Sequence, residues 1–191
     1  MRVGVLAAQG AFIEHIQNLR RLNVEAVPVR TPADLMGLDA LIIPGGESTT
    51  ITWLMSEYKL YAPIKKMAGK GMPMLGTCAG MIILCNDIVD GKGVKPLGLM
   101  DISVRRNAFG RQRDSFEIDL VIPALGKKPF PGVFIRAPLI EKVNSGEVLA
   151  RLEDGTIVAA KQGQFLAAAF HPELTDDLRF HRYFLDIIKG K

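Results

Sequence analysis

One cysteine stands between two glycines in the segment Gly76-Thr77-Cys78-Ala79-Gly80, which has apolar runs on both sides. The segment has the form Gly-x-nucleophile-x-Gly, the nucleophile elbow of many hydrolases, with cysteine in place of serine. Glycine suits a sharp turn from strand to helix because it lacks a Cβ, and the amides that begin the helix favour the thiolate. The segment therefore predicts either a nucleophile that attacks a carbonyl carbon or a small buried side chain, and the pentapeptide alone favours neither.

A thiol nucleophile needs a base, and the chain offers three histidines. His171 follows an apolar run at 165–170 and opens the sequence His-Pro-Glu, in which Pro172 favours an extended conformation at His171. Residues i and i+2 of an extended segment point to the same side, so Glu173 is placed to orient the ring of His171. Cys78, His171 and Glu173 are therefore the candidate catalytic triad.

The remaining histidines and the second cysteine are interpreted as structural. His15 and His181 lie in amphipathic helical patterns beside charged neighbours, and we expect both on the surface. The helix after Cys78 is predicted to run to about residue 88, which would place Cys85 in mid-helix among core residues. Two helical turns separate the two cysteines, too far for a disulfide, and the sequence contains no zinc-ligand spacing, so no metal is predicted.

A second glycine turn lies one strand earlier, in the sequence PGGESTT at 44–50. Such a turn can present backbone N–H groups to an anion, which could be a phosphate or the oxyanion of a tetrahedral intermediate. A glycine pair alone is weak evidence. Its position before the elbow would allow the amide of Gly46 to join the amide of Ala79 around one oxygen.

The elements that must hold these residues alternate between strand and helix patterns in the first half of the chain. Strands are predicted at 3–7, 24–29, 38–43 and 72–75, with helical patterns at 12–22 and, after Ser48 as a cap, at 51–55. Buried strands that alternate with helices indicate a parallel sheet covered on both faces.

From about residue 98 the pattern changes to short strands separated by turns. Strands are predicted at 102–105, 116–122, 132–135, 148–152, 156–160 and 165–170. Asp154-Gly155 is a strong hairpin signal, Gln162-Gly163 predicts a further turn, and Thr175 is expected to cap a closing amphipathic helix. Together the patterns predict one α/β domain, residues 1–191, with a mixed sheet and helices on both faces.

The composition excludes several classes of protein. With 191 residues, 48% hydrophobic and 23% charged, the chain can bury a core, and no uncharged apolar run is long enough for a membrane span. The net charge of +4 is spread among acidic residues, and the short basic groups lack interleaved aromatic side chains, so we expect neither a nucleic-acid partner nor a membrane partner. A cytoplasmic location fits the free cysteines.

In this order, the elbow, the glycine turn and the later His-x-Glu resemble the class I (triad) glutamine amidotransferases. Further phrases narrow the resemblance to the glutaminase subunits of pyridoxal 5'-phosphate synthases. The matching phrases cover nearly the whole chain and are LAAQGAF (6–12), PGGESTT (44–50), GTCAGM (76–81), RNAFGRQ (106–112), FIRAP (134–138) and AAKQGQF (159–165). The resemblance implies a three-layer, flavodoxin-like α/β fold.

The resemblance also implies roles for individual residues. It makes Cys78 the nucleophile, His171 the general base and then acid, and Glu173 the residue that orients His171. The oxyanion hole would be formed by Gly46 and Ala79. The positions that hold L-glutamine fall on Gly46, Glu47, Ser48, Arg106, Ile135 and Arg136. Gln9 matches a loop near the oxyanion strand and the synthase interface.

The reaction implied is hydrolysis of L-glutamine to glutamate and ammonia, with no metal or organic cofactor. The ammonia would pass to a separate synthase subunit that makes pyridoxal 5'-phosphate, in a hetero-oligomer, and we expect little glutaminase activity without that subunit. Two alternatives remain open: a triad glutaminase that serves another biosynthetic pathway, and a non-catalytic flavodoxin-like binding module that keeps the elbow as architecture.

Overall fold

The computed structural model describes residues 1–89, 91, 93–106, 108 and 115–190. The strands are β1 (Arg2–Leu6), β2 (Glu25–Val29), β3 (Ala40–Ile43), β4 (Met74–Thr77), β5 (Cys85–Val89), β6 (Met100–Arg105), β7 (Ser115–Leu120), β8 (Phe130–Ile135), β9 (Leu139–Val143), β10 (Glu147–Arg151), β11 (Ile157–Gln162) and β12 (Phe165–Ala168). The helices are α1 (Phe12–Arg21), α2 (Ser48–Glu57), α3 (Tyr61–Gly69), α4 (Ala79–Leu84) and α5 (Arg179–Ile188). Most of the phrase at 106–112 lies outside the described residues.

Among the described residues, ten strands form one sheet in the order β2-β1-β3-β4-β12-β11-β9-β6-β5, with β10 paired to β11. The five strands from β2 to β12 in this order are parallel, whereas β11 pairs antiparallel with β12, β9 and β10. A separate antiparallel hairpin joins β7 to β8. The predicted α/β class with a mixed sheet is confirmed, as are the hairpin at Asp154-Gly155 and the turn at Gln162-Gly163.

Helices pack on both faces of the parallel part of the sheet, as two neighbouring residues of β4 demonstrate. A Cβ built on Gly76 would contact Gly80 of α4, whereas the next side chain, that of Thr77, hydrogen-bonds to His15 of α1. Successive residues of a strand point to opposite faces. The helices α4 and α1 therefore cover opposite faces next to the end of β4.

The expectation of a long helix after Cys78 was wrong. Helix α4 ends at Leu84, and β5 begins at Cys85 and pairs in parallel with β6. The β-branched Ile88 and Val89 pair with β6, and this pairing outweighs the helical pattern. Cys85 is fully buried at the start of the strand, and its burial raises the pKa of its thiol to about 12. Cys85 is therefore an unreactive core residue.

Smaller differences concern where elements begin. Ser48 is the first residue of α2, with Glu47 at the cap position. The closing helix α5 begins at Arg179, because Thr175 instead accepts a hydrogen bond from the amide of Asp177 in the preceding turn. The sequence patterns also did not reveal α3 and β9.

Four phenylalanines connect the β7–β8 hairpin to the rest of the core. Phe130 packs against Phe170 and Phe180, and Phe134 packs edge-on against Phe170, with ring centroids 5.2 to 5.9 Å apart across this cluster. All four rings are essentially inaccessible to solvent. The cluster fixes the segment that leads from β12 to His171.

No helix in the described ranges is both long enough and apolar enough to span a membrane.

Candidate active site

The candidate residues follow three adjacent parallel strands, β3, β4 and β12. The register pairs Ile43 with Gly76 and Thr77 with Ala168, so the three carboxyl ends meet at one edge of the sheet. In open α/β sheets this edge is where ligands bind. The glycine turn follows β3, Cys78 follows β4, and His171 follows β12 by three residues.

Cys78 lies at the sharp turn that the glycine pattern predicts. Its backbone has φ 50° and ψ −107°, a conformation that non-glycine residues rarely adopt, and its amide donates to the carbonyl of Ala168 at 2.8 Å. Gly80 is required one residue beyond Ala79, because a Cβ there would overlap the carbonyl of Ile43. The Cys78 side chain is 6% exposed, and its Sγ lies 3.9 Å from the carbonyl oxygen of Ile135.

His171 is held by its backbone and by its ring. Its amide donates to the carbonyl of Val133 at 2.8 Å, and its Nδ1 lies 2.6 Å from Oε1 of Glu173. Burial acts to lower the pKa of His171, but hydrogen bonds to Cys78 and Glu173 outweigh burial and raise it to about 10. The arrangement stabilises an imidazolium beside the thiol, the charge state that keeps a cysteine nucleophile ready for attack.

Glu173 is the buried acid that orients the ring. Burial acts to raise the pKa of its carboxyl, but the basic rings of His15 and His171 outweigh burial and keep the pKa below its usual value. The carboxyl is therefore ionised and accepts the Nδ1–H of His171, which leaves the other ring nitrogen for Cys78.

The glycine turn after β3 packs directly against these groups. A Cβ on Gly45 would overlap the ring of His171 and stand 3.2 Å from Cβ of Cys78. The amide of Glu47 donates to Oε1 of Gln9 at 2.7 Å, so Gln9 lies on this turn, beside Gly46. Ala79 is the first residue of α4, where helix amides have no acceptor within the helix.

The remaining predicted positions lie around the mouth of the site. Arg106 reaches across to Glu47, with Nη2 3.4 Å from Oε1. Ile135 and Arg136 are exposed at the end of β8, and Arg136 has a left-handed backbone with φ 43°. Ser48 is buried at the start of α2. The structure thus brings all the predicted site residues to one edge of the sheet.

The expectation that His15 and His181 lie on the surface was wrong. Both are fully buried, and Nδ1 of His15 lies 3.0 Å from Nε2 of His181. The apolar spacing contained the signal: His15 stands four residues before Leu19 and three after Phe12, on the core face of α1, and His181 lies next to Phe180 on the buried face of α5.

Gly45 and Thr77 are further residues whose contribution sequence reasoning missed. Each is a small residue at a strand end, where only the three-dimensional contact reveals its role.

In the described part of the chain, no group of three or more His, Cys, Asp or Glu side chains is arranged to hold a metal ion.

Comparison with known proteins excludes one of the readings that the sequence left open. The model of the SNO glutamine amidotransferase family matches residues 5–189. The chain belongs to this family. The active-site edge described above, with the cysteine elbow and the His-Glu pair, is thus found in a glutamine amidotransferase, and the reading as a binding module that keeps the elbow only as architecture loses its support.

The relatives of this chain are similar to it over nearly their whole lengths. A protein of Dehalococcoides mccartyi is 58% identical, with 99% of this chain and 98% of the relative covered, and one of Pelotomaculum thermopropionicum is 59% identical, with 97% and 94% covered. Both are named pyridoxal 5'-phosphate synthase subunit PdxT. A crystal structure of a glutamine amidotransferase superposes with a TM-score of 0.93 at 49% identity and covers 99% of this chain and 100% of that one.

Proposed function

We propose that Cys78, His171 and Glu173 form the catalytic triad with which this glutamine amidotransferase hydrolyses L-glutamine. The observation that carries the proposal is the 2.6 Å contact between Nδ1 of His171 and Glu173, at the strand edge where the elbow presents Cys78. Orientation of the ring by a carboxylate directs its second nitrogen to the thiol, as a triad requires. We further propose that residues 1–191 form one glutaminase domain.

The reaction follows from these positions. The Cys78 thiolate attacks the side-chain amide carbon of glutamine, and the tetrahedral intermediate collapses as the imidazolium of His171 protonates the departing nitrogen to release ammonia. A γ-glutamyl thioester remains. His171, now neutral, takes a proton from water as the water attacks the thioester, and the thiolate leaves as glutamate forms.

The oxyanion of each tetrahedral intermediate needs donors close to Cys78. We assign this role to the amides of Ala79 and Gly46, because Ala79 begins α4 directly after the nucleophile and the Gly45-Gly46 turn packs against Cys78. Gln9 holds the turn through the amide of Glu47 and thereby influences where Gly46 lies.

The substrate's amino-acid end needs charged partners at the mouth. We assign the α-carboxylate of glutamine to Arg106, whose guanidinium offers paired donors, and the α-ammonium to Glu47 and to carbonyl oxygens near Ile135 and Arg136. Glu47 and Arg106 already pair with each other at the mouth, so a zwitterionic ligand can replace that contact with two new ones. Ser48, at the start of α2, completes the substrate-binding group.

The names of the relatives, pyridoxal 5'-phosphate synthase subunit PdxT, support a specific partner for this chain. We propose that this chain is the glutaminase subunit of a pyridoxal 5'-phosphate synthase and passes ammonia to the synthase subunit of a hetero-oligomer. We propose a cytoplasmic location, because the reaction needs Cys78 as a free thiol and a reducing compartment keeps it so. The alternative is a triad glutaminase that feeds another synthase. In that case the pyridoxal 5'-phosphate synthase subunit should not activate the glutaminase.

Glutamate release from L-glutamine tests the proposal, measured with and without the pyridoxal 5'-phosphate synthase subunit. Wild type and Cys78→Ala are compared, with Cys85→Ala as the matched control because Cys85 is the other buried cysteine. We expect release that depends on both the partner and Cys78 and that survives Cys85→Ala. Release by Cys78→Ala at the wild-type rate would refute the assigned nucleophile.

A further inference from the structure

Two buried histidines, His15 and His181, stand behind the triad and take no part in the chemistry described above. Both side chains are inaccessible to solvent, and they meet through a 3.0 Å contact between Nδ1 of His15 and Nε2 of His181. A buried pair of imidazoles is costly unless its nitrogens have partners. The position of the pair therefore calls for an explanation.

The other side of the His15 ring faces the triad. Its Nε2 lies 3.3 Å from Oε2 of Glu173 and 3.1 Å from the hydroxyl of Thr77. The two oxygens of Glu173 thus face different histidines, with Oε1 directed to His171 and Oε2 to His15. No hydrogen bond of standard geometry reaches Oε2 from the described residues, so the contact with His15 is what offsets its burial.

Helix α1 holds Glu173 at a second point. The side-chain amide of Asn18 donates to the backbone carbonyl of Glu173 at 3.2 Å, three residues along α1 from His15. Residues three apart lie on one face of a helix. One face of α1 therefore fixes both the backbone and the carboxyl of the acid that orients His171.

The hydrogen positions in this cluster follow from the chemistry of the groups. An ionised carboxyl only accepts hydrogen bonds. The nitrogen of His15 that faces Glu173 is Nε2, so the hydrogen of the neutral ring is on Nε2. Nδ1 of His15 is then an acceptor, and Nε2 of His181 must donate to it. This leaves Nδ1 of His181 without a hydrogen, and that atom is the buried ring nitrogen that lacks a partner.

The reverse arrangement is less favourable. If His15 carried its hydrogen on Nδ1, its Nε2 lone pair would face the carboxylate, and His181 would have to bury an unpaired N–H. Burial lowers the pKa of both His15 and His181, which keeps both rings neutral and leaves each with one hydrogen to place. The charged groups that act on His15 are Glu173, His171 and, from α1 itself, Glu14.

We propose that His15 is a positioning residue for glutamine hydrolysis: its Nε2–H, which is hydrogen-bonded to the Thr77 hydroxyl, also lies 3.3 Å from the second carboxylate oxygen of Glu173 and attracts it there, and His181 fixes the tautomer that allows this contact. The inference rests on the triad proposed above. With Oε1 bonded to His171 and Oε2 in contact with the N–H of His15, rotation of the Glu173 carboxylate away from His171 is opposed, and the ring of His171 keeps its second nitrogen directed at Cys78.

The kinetic test compares His15→Leu, which removes the donor, with His15→Gln, whose side-chain amide nitrogen can stand near the place of Nε2. Glutamate release is measured in the complex with the synthase subunit. We expect His15→Leu to lower kcat by about tenfold to a hundredfold, as loss of an orienting group typically does, with little change in KM. His15→Gln should recover most of the rate.

The pH profile separates positioning from general destabilisation. In His15→Leu the loosened Glu173 stabilises the imidazolium of His171 less, so the alkaline limb of kcat moves to lower pH. Phe184→Leu, on the buried face of α5, is the control that destabilises the core without removing a titrating group, and its alkaline limb should match that of wild type. A kcat for His15→Leu within twofold of wild type, or an equal loss in His15→Leu and His15→Gln, would overturn the proposal.

A second measurement does not depend on activity. Nitrogen-15 NMR of the histidine rings in the wild-type chain reports which ring nitrogen carries the hydrogen. We expect His15 and His181 to be neutral at pH 7, both with the hydrogen on Nε2. A His15 ring with its hydrogen on Nδ1 would refute the inference even if the enzyme is active, whereas an inactive wild-type complex would count against the proposed function instead.

Discussion

Gly45 lies against the ring of His171 and the β-carbon of Cys78 so closely that no side chain can stand at its position. A Cβ there would overlap the imidazole and come within 3.2 Å of the cysteine. The two side chains that we propose as catalytic thus share one neighbour, a glycine with no room for a Cβ.

Gly45→Ala should therefore reduce activity sharply. The added methyl group displaces the His171 ring from Cys78, and we expect kcat to fall by roughly a hundredfold, the lower range for loss of general acid–base catalysis. Gly69→Ala is the matched control, because a Cβ there meets nothing within 4 Å. The measurement is glutamate release by the two variants in the synthase complex. Equal rates would show that the glycine turn can shift to accept the methyl group without displacing the His171 ring.

Glu173→Gln should shift the pH dependence. Glu173 raises the pKa of His171, so its neutral replacement lowers that pKa and the active imidazolium is lost at lower pH. The alkaline limb of kcat should move down by about one to three pH units, the usual effect of one close opposite charge. Initial rates between pH 6 and 10 measure the limb. An unmoved limb would mean that Glu173 does not set the charge of His171.

Cys78 adopts its left-handed backbone at a cost in stability. Glycine adopts such a conformation without strain, so Cys78→Gly should be more stable than Cys78→Ala by about 1 kcal/mol, the lower range for a strained non-glycine residue. Urea denaturation of the two inactive variants measures the difference in the free energy of unfolding. A more stable alanine variant would argue that the turn relaxes when the thiol is absent.

Arg106→Leu should weaken glutamine binding and leave the chemistry intact. Loss of a hydrogen-bonded charge for the α-carboxylate should raise KM by about tenfold or more, while kcat changes little. Arg106→Lys keeps the charge but loses the paired donors, and its KM should fall between those of Leu and wild type. Steady-state rates over a range of glutamine concentrations test this order, and a KM for Arg106→Leu within twofold of wild type would reject the assignment.

The buried histidines should make the fold sensitive to acid. Burial lowers the pKa of His181 from 6.5 to about 3, so between these values the unfolded chain takes up a proton that the folded chain refuses, and stability falls as the pH falls. His181→Phe removes this site. Both proteins are compared at pH 7.5 and at pH 5, where most carboxylates are still ionised. The free energy of unfolding of His181→Phe should fall between these pH values by about 2 kcal/mol less than that of wild type.

The control for this measurement is Phe184→Leu, which lowers stability by the same amount at both pH values because it removes no titrating group. Guanidinium denaturation at the two pH values gives all the quantities. If His181→Phe loses as much stability on acidification as wild type, the histidine is protonated in the folded chain.

The sequence allowed the parallel half of the sheet and the candidate triad to be predicted because local signals specify them. Glycine spacing marks the elbow at Cys78, and the sequence His-Pro-Glu marks His171 and Glu173 as a pair, although Pro172–Leu174 form a 3-10 turn and not the extended segment that the pattern predicts. Strand β5 was missed because its apolar residues continue the helical pattern of α4. The charged neighbours of His15 favour the surface, but its position on the apolar stripe of α1 determines its burial. Contacts between elements distant in sequence, such as that of His15 with Glu173, leave no local signal.

The pairing of β4 with β12 also determines when the proposed triad can form. Cys78 and His171 are separated by nearly half of the 191 residues, and they follow the paired strands β4 and β12. Strand pairing over such a distance closes a large loop and forms late in folding. While the chain emerges from the ribosome, the elbow is made long before its base exists. The proposed triad therefore forms only after the chain has been made at least as far as His171.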